Sequence, residues 1–566
     1  MSRNEEPPPP LEGGGGEKPL LITLIENNIF RYGYSLRYVR PRGFNNAEVW
    51  SPDRIDVEPG FSVNPYTTFN NDIDRFEVRT PDPLVKLGSR LAGSYVKVGG
   101  YDKFPFNTGL GWSIALRYWR RAIPWPRPSN YVREEGPYRL ERLEPDVLVI
   151  GGGISGLHAA LSAAQLKLKT VLLEMDYWIG GRYPLVNKDD MDGTSLTNLA
   201  KTVEKLGAKI LLNTVFQGFH SDYPYAIDWR RRVLFILNPK VYIFATGHYE
   251  VPPLLEGIDI PKCIPFYTYM KLVKRFGVKH FRKVIVYGGD SRVESLKTLF
   301  EKEKVDAIFL GSEVDGFTSY PNIEYLRISG EDAFEYVELE YNGGREKIKG
   351  DIFIYLGDRV ANSWLTLQIG ITHLFIDGLG GYIPWHDIEG STEKENIFIA
   401  GSLGGVYNFN YDVLTGLVAG LKAGEYLGID IDEEKSKFVS QIREMLDKDE
   451  RADKLFGSIF RRENVYPNKE FKLYRDKSKV ILCSCTDVSL EDIDHSVERL
   501  GTHDIELLKR YSGVLTGRCQ GKLCLYNLHR YLHNNHGRMI RNIHHRIRPP
   551  YIPHQIHSLE VEKDEV

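Results

Sequence analysis

The sequence predicts an α/β protein with two dinucleotide-type folds, followed by a small helical domain that carries cysteines. Residues 146–174 and 283–311 each read as strand, glycine loop, helix and strand, which is typical of a parallel sheet with crossover helices. Four of the five cysteines lie from Cys483 onwards. These observations predict a loosely duplicated nucleotide-binding module with a separate site for a soft metal.

The length and composition indicate a multidomain globular protein. A chain of 566 residues exceeds what one hydrophobic core holds, and contents of 42% apolar and 26% charged residues are ordinary. The formal charge of −3 gives no reason to expect a nucleic-acid partner. We find neither a signal peptide nor an apolar run that could cross a bilayer, so the sequence predicts a cytoplasmic protein without a transmembrane segment.

Changes in composition set the predicted domain boundaries. Proline and glycine runs predict a disordered tail at the start, and the region after it is rich in aromatic residues and proline but has no cysteine. The predicted organisation is a tail (1–18), an N-terminal region (19–140), a first dinucleotide-binding domain (141–250 and 391–430), an inserted second domain (251–390), a helical linker (431–477), a cysteine-bearing domain (478–550) and a C-terminal tail (551–566).

The first glycine loop has the full pattern of a dinucleotide site. In the G-x-G-x-x-G motif, Gly151 permits the tight turn, Gly153 lets a pyrophosphate approach the backbone, and Gly156 lets the helix pack on the sheet. Glu174 ends the next strand, where a carboxylate binds ribose hydroxyls and disfavours the 2′-phosphate of NADP. A glycine turn without ligand is the less favoured alternative. The predicted binding residues are Gly151, Gly153, Ile154, Ser155, Gly156 and Glu174.

Three later motifs extend this module. They are Gly180-Gly181-Arg182, Ala245-Thr246-Gly247 after an apolar strand, and Gly401-Ser402 near the end of the module. Together with the first loop they resemble the two-dinucleotide-binding flavoprotein fold of glutathione-reductase type, which implies FAD. In many members an acid follows the last glycine and contacts the flavin. Ser402 takes that place here, so NAD or ATP in the same groove stays open as an alternative.

The second glycine loop is degenerate. Gly288-Gly289-Asp290 lacks the later glycines, and Asp290 puts a negative charge where phosphates bind. We therefore expect a structural relic and not a working NADH site. Only Cys263 lies in this module, and one thiol cannot cycle as a dithiol, which argues against a disulfide reductase. Cys263 itself is interpreted as a partly buried small apolar residue.

The cysteines of the last domain form a C-x-C pair and a C-x4-C pair, Cys483 with Cys485 and Cys519 with Cys524. Four thiolates can hold a [2Fe–2S] cluster, with two at each iron. Zinc is less favoured because its structural sites usually use C-x2-C pairs, and unligated thiols are the third possibility. We expect the first pair in a loop after a strand over 479–482, and the second pair at the start of a helix over 525–532.

Three stretches carry a wider resemblance: Arg37–Gly43 (RYVRPRG), Gly517–Cys524 (GRCQGKLC) and Arg548–Pro553 (RPPYIP). They resemble the α subunit of heteromeric amine dehydrogenases and oxidases, a family that includes sarcosine oxidase and dye-linked proline and hydroxyproline dehydrogenases. The resemblance implies a ferredoxin-like N-terminal domain and a BFD-like [2Fe–2S] domain at the C-terminus. Because residues 19–140 contain no cysteine, this N-terminal domain would be a degenerate one that cannot ligate a cluster through thiolates.

The resemblance also implies the role of the chain. Family members work with a β subunit that oxidises the amine at its own FAD, with FMN held at a subunit interface, and with small subunits in some complexes. This chain would then be an electron-transferring oxidoreductase subunit that passes electrons to an external acceptor and holds no substrate-oxidising residue. The alternatives are a stand-alone NADH-dependent flavoprotein reductase and a non-catalytic subunit with a structural nucleotide.

Histidine is concentrated near the C-terminus, and His529 and His533 lie four residues apart in a predicted helix. This spacing suits a metal, but no third ligand accompanies it. We therefore expect a solvated polar helix face.

Overall fold

The computed structural model describes residues 138–537, except 177, 188–192, 221–222, 229–230, 278–280, 331–332, 467–471, 502–503 and 518, together with short pieces before residue 138. Most of the predicted N-terminal region, the motif at Arg37–Gly43, the motif at Arg548–Pro553 and both predicted tails therefore lie outside the described residues.

The described strands are β1 (Lys18–Pro19), β2 (Ile55–Glu58), β3 (Phe61–Val63), β4 (Thr68–Phe69), β5 (Arg139–Leu143), β6 (Val147–Ile150), β7 (Thr170–Leu173), β8 (Lys209–Leu211), β9 (Thr214–His220), β10 (Tyr223–Asp228), β11 (Val233–Leu237), β12 (Val241–Phe244), β13 (His248–Val251), β14 (Cys263–Pro265), β15 (Lys283–Tyr287), β16 (Asp306–Leu310), β17 (Thr318–Tyr320), β18 (Ile323–Ser329), β19 (Tyr336–Tyr341), β20 (Gly344–Lys349), β21 (Ile352–Tyr355), β22 (Asp358–Ala361), β23 (His373–Ile376), β24 (Gly381–Pro384), β25 (Ile397–Ile399), β26 (Ile481–Cys483) and β27 (Val488–Ser489).

The described helices are α1 (Ile154–Gln165), α2 (Tyr183–Val186), α3 (Thr194–Lys205), α4 (Phe266–Phe276), α5 (Arg292–Glu303), α6 (Trp364–Gln368), α7 (Phe409–Tyr426), α8 (Asp432–Asp447), α9 (Glu450–Phe460), α10 (Leu490–Leu500), α11 (Ile505–Ser512) and α12 (Leu525–His536). None of these described helices is long and apolar enough to cross a membrane.

Two five-stranded parallel sheets form the α/β part. The first has the order β25-β12-β6-β7-β8, and the second has the order β14-β21-β15-β16-β17. Every neighbouring pair in both sheets is parallel. Strands β6, β7 and β12 are buried along their whole length, as expected where both faces of a parallel sheet are covered. The predicted α/β class with parallel sheets is confirmed.

Helix α7 covers the first sheet by packing directly on α1. Side chains added at Gly416 or Gly420 would collide with the backbone of α1, and the Ser162 hydroxyl donates to the Leu417 carbonyl at 3.0 Å. The side chain of Asn408 caps the first turn of α7 by accepting from the Tyr411 N–H at 2.9 Å. This close packing brings the start of α7 to the glycine loop.

The cysteine-bearing region shares a hydrophobic core with the first domain. One buried cluster extends from Phe244 and Trp364 to Cys483, Cys519 and Leu528. The predicted strand over 479–482 is shifted, because Asp476 caps a 3-10 turn at Lys477–Lys479 and strand β26 ends at Cys483 itself. At the start of α10 the capping box between Ser489 and Asp492 is present.

Candidate functional site

A cleft with about 1500 Å³ of empty space opens above the carboxyl ends of the first sheet. Open α/β sheets bind ligands at this edge. All of the predicted dinucleotide-binding residues except Gly156 line it: Gly151, Gly153, Ile154, Ser155, Glu174, Gly181, Arg182, Ala245, Thr246, Gly247, Gly401 and Ser402.

The glycines of the first loop have different structural roles. A side chain at Gly156 would collide with the Gly151 carbonyl, so this residue serves the close packing of α1 on the sheet. At Gly153, by contrast, an added Cβ would meet no atom within 4 Å and would project into the cleft. The space above Gly153 is therefore available to a ligand. This arrangement suits a pyrophosphate at the N-terminus of α1.

The Ser155 hydroxyl adds an independent indication of a ligand. The residue is only 6% exposed and lines the cleft in the first turn of α1, and its Oγ has no hydrogen-bond partner among the described residues. A buried hydroxyl without a partner is costly. A phosphate oxygen above the helix N-terminus would satisfy it.

Glu174 is held at the end of β7 by two backbone donors. Its Oε2 accepts from the Gly152 N–H and its Oε1 from the Asp176 N–H, both at 2.7 Å. Burial, assisted by the charge of Asp176, raises the pKa of Glu174 to about 7, although the two hydrogen bonds act to lower it. The carboxyl is therefore oriented towards the cleft with lone pairs left for ribose hydroxyls.

The opposite wall is built by Arg182 and the residues after β12. The Arg182 guanidinium donates to the His248 carbonyl at 2.9 Å and lies 4.3 Å from the centre of the Tyr267 ring. The Thr246 hydroxyl donates to the Asn362 carbonyl at 2.8 Å. These contacts join the first domain to the segment that returns from the second one, so the cleft has a preformed wall.

Asp412 is a site residue that sequence reasoning missed. It lies in the first turn of α7, lines the cleft, and accepts from the Ser402 hydroxyl at 3.0 Å. Burial raises the pKa of Asp412 to about 7, against the hydrogen bond from Ser402. An acid therefore lies beside Ser402, ten residues later in the chain. A search for acids in the turn after the Asn408 cap would have found it.

The second glycine loop is filled by its own side chains. Asp290 accepts from the Arg292 N–H at 2.9 Å, so a carboxylate already occupies the N-terminus of α5. The Arg292 guanidinium, 5% exposed, pairs with Asp290 at 2.6 Å, also pairs with Glu250, and donates to the Gly357 carbonyl at 2.8 Å. Burial lowers the pKa of Arg292, but Glu250 and Asp290 raise it above its usual value.

The structure brings all four C-terminal cysteines together. Cys483 interacts with Cys485 and Cys524, and Cys519 interacts with Cys485. These interactions lower the pKa values of Cys483 and Cys519 and raise those of Cys485 and Cys524. Cys483, Cys519 and Cys524 are at most 1% exposed. The predicted placement of Cys524 at the start of a helix is observed, since it precedes α12 directly.

The loops around these sulfurs supply donors to them. The Thr486 hydroxyl donates to Cys483 Sγ at 3.1 Å, and backbone hydrogen bonds from Leu523 and Leu515 act on Cys519 and Cys524. Leu515 has a φ of 67°, which is unusual for a residue with a side chain. Such backbone strain costs energy and is found mainly at functional sites.

Gly517 allows a close approach in the same region, because any Cβ there would collide with Cys485. Among the described residues no group of three or more His, Cys, Asp or Glu side chains is arranged around a single metal ion. Each of the four cysteines nevertheless interacts with at least two of the others.

A buried path of side chains lies between the sulfurs and the cleft. Lys522, 2% exposed, interacts electrostatically with Cys519 and Cys485, and its Nζ lies 5.3 Å from the centre of the Trp364 ring. The Trp364 indole donates to the Tyr249 hydroxyl at 3.1 Å. Tyr249 in turn lines the cleft. Burial lowers the pKa of Lys522 to about 8, while the two sulfurs act to raise it.

The expectation of a solvated histidine face on the last helix is wrong for His529. This residue is 0% exposed, and its Nδ1 lies 2.6 Å from the Tyr382 hydroxyl. Burial lowers the pKa of His529 to about 3, so the ring is neutral. The helix docks this face on the first domain, where the His529 ring lies beside the Phe375 ring at a centroid distance of 4.3 Å. Cys263 is completely buried, more deeply than the partial burial that the sequence predicts for this small apolar residue.

Comparisons with known proteins agree with this picture. Residues 146–219 match the family model of FAD dependent oxidoreductases, and residues 477–562 match the sarcosine oxidase A3 domain. The fold resembles L-proline dehydrogenase from P. horikoshii, with a TM-score of 0.58 and 22% identity over 76% of this chain and 82% of that chain. No curated protein gave a significant match to the sequence.

Thioredoxin reductases give weaker structural similarities. The enzyme from Lactococcus lactis has a TM-score of 0.40 and 19% identity, covering 50% of this chain and 99% of that chain. The enzyme from T. acidophilum has a TM-score of 0.41 and 15% identity over the same two shares. The chain thus combines a segment similar to FAD dependent oxidoreductases with a segment similar to the sarcosine oxidase A3 domain, on a fold that resembles L-proline dehydrogenase.

Proposed function

We propose that this chain is the electron-transferring subunit of a heteromeric amine or amino-acid dehydrogenase or oxidase, of sarcosine, proline or hydroxyproline type. In this proposal the cleft binds FAD and the four cysteines hold a [2Fe–2S] cluster. A partner subunit oxidises the amine, FMN lies at a subunit interface, and an external acceptor receives the electrons. The observation that carries the proposal is the buried row of Tyr249, Trp364 and Lys522 between the cleft and the sulfurs.

The chain's own residues fit the two groups. The free space above Gly153 suits a pyrophosphate, as does the Ser155 hydroxyl, which has no partner in the described part of the chain, and Glu174 suits a ribose. Asp412 supports FAD over NAD or ATP, because it supplies beside Ser402 the acid that flavoproteins of this fold use near the flavin. When bound, the flavin accepts an electron pair and the cluster passes on single electrons.

The spacing of the cysteines supports two irons over one zinc ion. Structural zinc sites usually use C-x2-C pairs, whereas Cys483 and Cys485 form a C-x-C pair. Together with Cys519 and Cys524 they supply four thiolates, two for each iron of a [2Fe–2S] cluster. Backbone and hydroxyl donors around the sulfurs stabilise thiolates, which are the ligating form.

The second domain then serves the assembly and binds no second cofactor. Asp290 already occupies the helix N-terminus that a phosphate would need, and Arg292 neutralises it. This supports an electron-transfer role over a stand-alone NADH-dependent reductase. The remaining alternative is a non-catalytic subunit with a structural nucleotide.

Anaerobic purification of the native chain with its partners tests the proposal. We expect one FAD, about two irons and about two acid-labile sulfides per chain, and an EPR signal of a reduced [2Fe–2S] centre when partner and amine are added. NADH alone should not bleach the flavin. Zinc in place of iron, or full amine turnover by the isolated chain, would refute the proposal.

The variant Cys519→Ala tests whether the cysteines hold the cluster. It should abolish the EPR signal and leave the bound dinucleotide in place, since Cys519 lies outside the cleft. Cys263→Ala is the matched control, because Cys263 is equally buried and contacts none of the other cysteines in the described structure. Loss of the EPR signal in the control would contradict the assignment.

A further inference from the structure

We propose that Lys522 is the counter-cation of the four-cysteine site and raises its reduction potential. This inference rests on the proposed function, because it concerns the charge of the cluster that the cysteines would hold. Lys522 is a positioning residue here: it ligates nothing and takes part in no bond change. It lies between Cys519 and Cys524 in the turn that precedes α12, where its N–H donates to the Cys519 carbonyl at 3.1 Å.

The burial of Lys522 requires a compensating negative charge. An ammonium group that is 2% exposed has lost its hydration, which is costly unless an anion faces it. Lys522 lies three residues after Cys519 and two before Cys524 in the same turn, and it interacts electrostatically with the sulfurs of Cys519 and Cys485. Cys485 belongs to the C-x-C pair and Cys519 to the C-x4-C pair, so the cation interacts with one sulfur of each pair.

Trp364 fixes the position of this cation. The Lys522 Nζ lies 5.3 Å from the centre of its ring, within the range of a cation–π contact. The indole itself is 2% exposed and is anchored by its hydrogen bond of 3.1 Å to Tyr249. The lysine is therefore held between an aromatic face and the sulfurs, in a place where low polarity strengthens its electrostatic effect.

The direction of the effect follows from charge. A tetrathiolate [2Fe–2S] cluster is anionic, and its negative charge grows by one unit when it takes up one electron from an added reductant such as dithionite. A fixed positive charge stabilises the reduced form more than the oxidised form. Removal of the cation must therefore lower the reduction potential.

The test compares Lys522→Met, which keeps the length of the side chain without the charge, with Lys522→Arg, which keeps the charge. Anaerobic redox titration of the EPR signal should show that Lys522→Met lowers the equilibrium constant for one-electron reduction at least about tenfold, a shift of about 59 mV, while Lys522→Arg restores most of it. Lys477→Met is the matched control, because Lys477 also faces an aromatic ring in this region, at 5.6 Å from Tyr531, but pairs with Asp494. An unchanged potential in Lys522→Met would overturn the inference.

Loading is measured separately as iron and sulfide per chain. If Lys522→Met lacks iron and sulfide but Lys522→Arg contains the normal amounts, the positive charge is needed to assemble the cluster and the inference stands. If both variants lack iron and sulfide, the shape of the lysine side chain and not its charge is what the cluster needs, and the inference is wrong. Zinc in the wild-type chain would refute the proposed function but still leave this inference measurable. In that case Co²⁺ is the probe: Lys522→Met should bind it about tenfold more weakly than wild type, and equal affinities would overturn the counter-cation role.

Discussion

The two glycine loops of this protein occupy equivalent places in two similar folds, yet only the first leaves room for a ligand. In the first loop Gly153 faces empty space and the Ser155 hydroxyl is unpartnered among the described residues. In the second loop Asp290 stands at the position of Gly153 and Arg292 at the position of Ser155. Their ion pair occupies the helix N-terminus. A nucleotide-binding fold can therefore keep its backbone after losing its ligand, with the carboxylate of a side chain at the helix N-terminus where the phosphate would bind.

The largest effect is expected from filling the first loop. Gly153→Val puts a side chain into the space above the loop, so the purified variant should lose almost all of its bound dinucleotide. Adenine content after denaturation of the protein measures this. Asp290→Val, the matched change in the second loop, should leave the adenine content unchanged. Retention of one dinucleotide per chain by Gly153→Val would contradict the claim that the first loop binds the ligand.

A substitution in the second loop should lower the stability of the fold and leave dinucleotide binding unchanged. Arg292→Met leaves Glu250 and Asp290 without their buried partner, and we expect a loss of about 3–5 kcal/mol in the free energy of unfolding. Denaturant unfolding of the wild type and the variant measures the loss, with the bound dinucleotide as an internal control that should not change. A loss below about 1 kcal/mol would show that the network does not stabilise the second loop.

The acids of the first cleft predict a pH dependence that the second loop lacks. The folded state raises the pKa of Asp412 to about 7 from 3.8, so folding takes up a proton between these values. The stability of the ligand-free protein should therefore be complete below about pH 4 and fall as the pH rises to about 7, by up to roughly 4 kcal/mol from this group. Glu174, with its pKa raised to about 7, acts in the same direction.

Asp412→Asn removes the contribution of this group while keeping an acceptor for Ser402. Thermal unfolding between pH 4 and pH 8 should then show a flatter profile than the wild type. Asp290→Asn is the control from the second loop, because Arg292 lowers the pKa of Asp290 and the group stays charged over this range. An unchanged profile in Asp412→Asn would show that the carboxyl is ionised in the folded protein.

The smallest expected effect concerns the residue at the end of the next strand. Glu174→Gln weakens the bonds to ribose hydroxyls from charged to neutral, which should cost about 1 kcal/mol, or roughly fivefold in dinucleotide affinity. In the second domain Ser312 follows the corresponding strand, and its hydroxyl donates to the Gly288 carbonyl at 3.0 Å. Ser312→Ala should not change the affinity, and equal effects of the two changes would contradict the contrast between the loops.

The features that depend on local backbone geometry could be predicted from the sequence. The strand, glycine loop and helix at 147–165 follow from residue types that only one local conformation satisfies, and the capping box at Ser489 follows from two residues three positions apart. The four cysteines could also be selected as one group, because thiols are rare in this chain.

Which distant residues share a site could not be predicted, because it depends on how the helices and strands pack. Asp412 contacts Ser402 because α7 packs on α1. Glu250, in strand β13, contacts Arg292, which lies 42 residues later at the start of α5. His529 is buried because α12 docks on the first domain, although its surroundings in the sequence are polar. Lys522 is a buried cation between Trp364 and the sulfurs, while a lysine in a sequence is expected at the surface. Such contacts depend on how elements pack, and local residue patterns do not encode that packing.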